Sequence, residues 1–88
     1  MQSSFDGAEL EFPLECHFRI VAENLDNMYF TIETVLLGLG ITDPLEPAHV
    51  SGKGNYASFA FSTIVPSRLV MEHIDRELRA IVGVKMVM

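Results

Sequence analysis

Residues 13–22 alternate between apolar and polar side chains. Leu14, Cys16, Phe18, Ile20 and Ala22 fall on one side, and Glu15, His17, Arg19 and Val21 on the other. Side chains repeat every second residue along a strand, so this is the signature of a half-buried strand. A longer alternation follows the glycine-rich stretch Ser51 to Asn55. There Ala57, Phe59, Phe61, Thr63 and Val65 share one side, and Tyr56, Ser58, Ala60, Ser62 and Ile64 share the other. The two phenylalanines stabilise by roughly 1.5–3 kcal/mol each when buried, which turns their side toward the core. The second side is small and mildly polar, as on a solvated or partner-covered face.

Between these strands the period changes to that of a helix. Leu25, Met28, Tyr29, Ile32, Val35, Leu36 and Leu39 form one stripe, predicting a helix over 26–39. Asp26 is placed to cap its first turn and Gly40 to end it. Phe30 and Leu37 fall together on the opposite face, and a paired apolar exposure points to a contact surface. Residues 45–51 are expected to be extended. Pro44 and Pro47 lack amide donors, which assigns this segment to a sheet edge. Gly52 to Asn55 closes a hairpin, with positive backbone angles expected at Gly52, Gly54 and Asn55.

A second helix runs from about residue 68 to 81, with Val70, Met71, Ile74, Leu78 and Ile81 inward. Arg68–Glu72, Glu72–Arg76 and Asp75–Arg79 are spaced to pair on its outer face. Gly83 stops it. A last strand spans 84–88, with Val84, Met86 and Met88 expected on one side and Lys85 and Val87 on the other. The element order, strand–helix–strand–strand–helix–strand, predicts an α+β, ferredoxin-like βαββαβ fold. Right-handed crossovers then give a four-stranded antiparallel sheet with both helices on one face.

The 88 residues suffice for one core. We expect a flexible tail over 1–11, in which Phe5 and Leu10 are the candidates for docking, and a single domain over 12–88. Net charge is −6, from 12 acidic and 6 basic residues, with Asp6, Glu9 and Glu11 in the tail. Such a balance repels phosphate backbones and makes nucleic acid an unexpected partner. The single cysteine, Cys16, permits neither an internal disulfide nor a cysteine-based zinc site. With no signal-like segment and no apolar run long enough to span a bilayer, the expected location is cytoplasmic.

Chemistry-bearing motifs are few. Cys16 and His17 are adjacent, but alternation sends them to opposite faces, so they form no catalytic dyad. His17, His49 and His73 lack metal-ligand spacing, and we expect no metal or cofactor. The segment Ser51-Gly-Lys-Gly-Asn55 leads into a strand and lacks phosphate-loop spacing; a tight turn accounts for its glycines. Lys53 at its tip is suited to an acidic partner.

Glu-Phe-Pro at 11–13, Ser-Gly-Lys-Gly-Asn-Tyr at 51–56 and Val-Lys-Met-Val-Met at 84–88 together resemble the YbeD-like family of small bacterial proteins, domain of unknown function 493. The resemblance implies a ferredoxin-like fold close to ACT regulatory domains, and it supplies no catalytic residue. Amino-acid-binding ACT domains place a glycine-bearing loop after the first strand. Here that loop is Ala22-Glu23-Asn24-Leu25-Asp26, with two acids and no glycine, so a carboxylate ligand would meet like charge.

The expected function is a small, non-enzymatic regulatory or protein-interaction module. Its contact surface is expected to comprise His17, Arg19, Tyr56, Ser58 and Lys85, with Lys53, Phe30 and Leu37. It would dock on a protein or self-associate, with a small molecule as a possible effector. One alternative is an RNA-binding domain on the open face, where Tyr56 supplies one stacking ring but Ser58 replaces the second. The other is an acylphosphatase-like enzyme, whose arginine-bearing phosphate loop Glu23 and Asp26 do not resemble. No nucleophile, base and orienting group can be assembled from the remaining residues.

Overall fold

Two long strands, β1 (Leu14–Glu23) and β3 (Tyr56–Val65), run antiparallel in unbroken register from the Leu14–Val65 pair to the Glu23–Tyr56 pair. The computed structural model describes residues 10–88. Around this central pair lie α1 (Met28–Gly38), β2 (Glu46–Val50), α2 (Arg68–Arg79) and β4 (Val84–Val87). The sheet order is β2-β3-β1-β4, all antiparallel, with both helices packed on one face. This is the ferredoxin-like βαββαβ arrangement. Of the tail expected over 1–11, residues 1–9, with Phe5, lie outside the described residues, and Leu10 and Glu11 are exposed.

Alternation decides the layers. Phe18, Ile20 and Ala22 from β1, and Ala57, Phe59, Phe61 and Val65 from β3, are buried against Met28, Ile32 and Leu36 of α1 and Ile74 and Leu78 of α2. Thr63 is buried among them, and its hydroxyl donates to Asp43 Oδ1 at 2.7 Å, so the polar atom is satisfied. β2 lies at the edge, as Pro44 and Pro47 require.

The helix ends differ from expectation. α1 starts at Met28 with Asn27 at the cap, and no side chain caps it; Asp26 lies one residue too early. Its buried stripe is narrower, because Leu25 is 47% exposed and Tyr29 sits at the margin, where its hydroxyl donates to Leu45 O at 2.7 Å. α2 is capped by Ser67, whose Oγ accepts from the Val70 amide at 3.2 Å. Val70 is exposed rather than inward. Asp75 and Arg79 pair at 2.8 Å, while Arg76 approaches His73 Nδ1 at 3.2 Å.

The hairpin uses one left-handed residue rather than three. Gly54 alone has a positive φ there (+76°), and Ser51 closes the turn by accepting from Gly54 and donating to Tyr56 O, each at 2.8 Å. In β4 the register slips opposite Val21 and Ala22, so Ala22 faces Val84 while Val21 faces Met86 and Ile20 faces Val87. The slip inserts Lys85 as an extra residue. Val84 and Val87 therefore both turn toward the core, and Met86 and Met88 turn away, so the two methionines part from Val84, with which they were expected to share a side, and Val87 joins it.

Candidate functional site

The face of the sheet that the helices leave uncovered is built by the odd-numbered residues of β1 and the even-numbered residues of β3. Cross-strand pairs order it in rows. Glu15 faces Ile64, His17 faces Ser62, Arg19 faces Ala60, Val21 faces Ser58 and Glu23 faces Tyr56. β2 adds Glu46 beside Ala60 and His49 beside Ser58. β4 adds Met86 beside Val21 and, through paired backbone bonds, Met88 beside Arg19. Small Ser58, Ala60 and Ser62 make a low floor, and exposed Tyr56, Ile64, Met86 and Met88 stand around it.

Local contacts hold several of these side chains. His17 Nδ1 lies 2.6 Å from Ser62 Oγ, which fixes the imidazole across the β1–β3 seam. Lys85 Nζ reaches Glu23 Oε2 at 3.2 Å, so its charge is partly neutralised beside Tyr56. A shallow depression of about 370 Å³ lies over His17, Arg19, Ala60, Ser62 and Met88. The carboxylates of Glu15, Glu23 and Glu46 outnumber the cations of Arg19 and Lys85, a balance unfavourable to a phosphate backbone.

The structure brings His17, Arg19, Tyr56, Ser58 and Lys85 to this face or its border. Lys53 is exposed at the hairpin tip. Phe30 and Leu37 are 68% and 58% exposed, on the side of α1 opposite the buried Ile32 and Leu36. The helices cover the other face of the sheet, so these two residues form a separate patch on the far side of the molecule. Sequence reasoning missed Met86 and Met88, because only the slip in β4 turns them outward.

Cys16 is half-buried on the helix face, its Sγ 3.9 Å from Met71 Sδ. Burial pushes its thiol pKa up from the ordinary value, away from the thiolate a nucleophile needs. The loop between β1 and α1 is occupied with its own bonds. Glu23, Asn24 and Leu25 donate their amides to Gly83 O, Asn55 O and Glu23 O, and the Asn24 side chain donates to Gly54 O. Among the described residues, no group of three or more His, Cys, Asp or Glu is arranged to hold a metal, and no helix is long and apolar enough to cross a membrane.

A family described as proteins of unknown function, DUF493, matches residues 7–88. The chain belongs to that family. Among its relatives is a UPF0250 protein of Shewanella halifaxensis, 33% identical over 79 residues, covering 90% of each chain. Another, from Shewanella frigidimarina, is 31% identical over 91 residues, covering 100% of this chain and 99% of the relative. The solution structure of protein HP0495 from Helicobacter pylori superposes with a TM-score of 0.80 at 18% identity, covering 100% of this chain and 94% of that one. The ACT domain of GTP pyrophosphokinase from Chlorobium tepidum superposes at 0.65 with 19% identity, covering 85% of this chain and 95% of that one. At these identities the two structures establish a shared fold.

Proposed function

We propose that this DUF493 protein is a small, non-enzymatic regulatory module that docks on a protein partner through its uncovered sheet face. The observation that carries the reading is the composition of that face: exposed Tyr56, Ile64, Met86 and Met88 around a floor of small side chains. Aromatic and methionine side chains over small neighbours suit a protein surface. Arg19 and His17 add direction to the contact. The likeness to an ACT domain carried by a GTP pyrophosphokinase supports a regulatory role by analogy of fold. The occupied β1–α1 loop supports a protein partner over an amino acid held at that loop, although a small molecule elsewhere remains compatible with docking. The lone half-buried thiol and the bacterial relatives support a cytoplasmic setting.

Affinity capture from the source cell, with mass spectrometry of proteins and small molecules, tests the reading. A protein recovered in stoichiometric amount by the wild type, and lost with Tyr56→Asp or Arg19→Glu while both variants keep the wild-type melting curve, supports it. Equal recovery by the wild type and both variants contradicts it.

A further inference from the structure

Among its eleven residues α1 has a single charged side chain, Glu33, whereas α2 carries acids and bases along its outer side. A helix that is apolar all round belongs under cover. The outer side of α1 is nevertheless open, with Phe30 and Leu37 both exposed. Phe30, Glu33, Thr34 and Leu37 are spaced i, i+3, i+4 and i+7, so they form one stripe, the pattern by which a helix lies in a groove. Such a groove lies beside them. Between α1 and α2, a furrow of about 530 Å³ has Met28, Thr31 and Val35 on one wall and Ala80 and Ile81 on the other, with exposed Val82 at its end. These residues set the N-terminal half of α1 beside the C-terminal end of α2, so the two helices run antiparallel. Glu33 is two residues from both Thr31 and Val35, about 200° around the helix, and therefore on the side of α1 away from α2. On α2, Leu69, His73, Arg76 and Ala80 are spaced by three and four, and this exposed row forms the outer rim of the furrow. Arg76 and His73 lie together there, 3.2 Å apart.

We propose that a second copy of this chain lays its α1 in this furrow, and receives the first in return, about a two-fold axis parallel to the two α1 helices. The projecting side chains and the furrow belong to one layer of the molecule, as a self-complementary interface requires. Symmetry then fixes the register, because an axis parallel to α1 leaves each residue at its own height along the helix. Phe30 of the partner subunit enters the furrow near Ala80 and Val82, and the partner's Leu37 reaches exposed Leu69 toward the other end of α2. The rotation also turns the side of the partner's helix that carries Glu33 toward α2 of this copy. Glu33 of the partner subunit therefore arrives at the level of Arg76 and His73, a carboxylate against a guanidinium, twice by symmetry. Within one chain the two groups cannot meet, since Glu33 faces away from α2. Where the α1 helices meet each other, Thr34 and Gly38 are small and Gly38 has open space around it, so the axes approach closely. An unrelated protein would have to supply both the apolar stripe and its charge; this chain already holds each half. The pairing uses the helix layer and stands independently of what docks on the uncovered sheet face.

Sedimentation equilibrium of the full chain, from micromolar to millimolar, tests the pairing. The expected mass is twice that of the monomer. Phe30→Asp and Leu37→Asp, at exposed positions where the fold is retained by circular dichroism, are each expected to raise the dissociation constant at least tenfold. Glu33→Arg is expected to raise it about tenfold, and Glu33→Arg/Arg76→Glu, which restores opposite charges across the interface, to recover most of that loss. A monomer at millimolar concentration overturns the proposal, whether the helix face is then bare or covered by another protein. So does a dimer indifferent to Phe30→Asp and Leu37→Asp, and so does one in which the charge exchange recovers nothing.

Discussion

Phe18 and Phe61 stack across the β1–β3 seam, ring centroids 4.8 Å apart and planes within 8° of parallel. They are directly paired in register, and both rings lie beneath the helices. Phe59, two residues along, sets its ring 6.2 Å from that of Tyr29 on α1. These contacts commit one side of β3 to the interior and leave Tyr56, Ser58, Ala60, Ser62 and Ile64 to the outer side.

Phe61→Ala is accordingly expected to cost about 3–5 kcal/mol, the range for emptying a buried aromatic site. Tyr56→Ala, on the outer side of the same strand, is expected to cost under about 1 kcal/mol. Chemical denaturation of the two variants beside the wild type measures the contrast.

Helix capping offers a second comparison. Ser67→Ala removes the oxygen that accepts from Val70 and is expected to cost about 1 kcal/mol. Asp26→Ala is expected to leave stability unchanged within about 0.5 kcal/mol, because Asp26 lies outside the cap of α1. Thermal melts of the two proteins, side by side, distinguish these outcomes.

Gly83 joins α2 to β4 at φ +96°, and a Cβ there would lie 2.7 Å from Met28 Cε. Gly54 has φ +76° with open space around it. Gly54→Ala is expected to cost about 1–2 kcal/mol from backbone strain. Gly83→Ala is expected to cost more, because Met28 must move as well as the backbone strain. Denaturant midpoints of the two variants give the order directly.

Cys16 provides a pH dependence. Burial raises the folded-state pKa of its thiol, so the folded protein holds that proton more tightly than the unfolded chain. The associated stability is fully present below the thiol's ordinary pKa of 9.0 and is lost as the pH rises through the folded-state value. Alkylation by iodoacetamide at pH 8 is expected to be slower than for an unstructured peptide thiol. Met71→Ala, which strips the side chain 3.9 Å from the sulfur, is expected to accelerate it.

Much of this fold is legible from local pattern. The two-residue periods of residues 14–22 and 57–65 assign the inner and outer faces of the central strands, and Pro44 and Pro47 assign an edge. What local pattern does not carry is pairing between distant segments. The slip in β4 exists only in relation to Val21 and Ala22 of β1, and it turns Met86 and Met88 outward against the simple alternation of 84–88. The chain that leaves β1 for α1 is tied at Asn24 to the β2–β3 hairpin, through Gly54 and Asn55. α1 begins at Met28, past Asp26. Phe30 and Leu37 were legible as exposed, but their separation from the open sheet face is a consequence of the layers.

The central claim is that the uncovered sheet, rather than the outer side of α1, is the docking surface. Titration calorimetry of the captured partner against two variants separates these surfaces: Tyr56→Asp on the sheet, and Phe30→Asp/Leu37→Asp on the helix. Affinity is expected to fall at least tenfold for Tyr56→Asp and to stay within about twofold of wild type for the helix variant, which corresponds to a difference of at least about 1 kcal/mol between them. Wild-type affinity in Tyr56→Asp together with a tenfold loss in the helix variant would contradict the account.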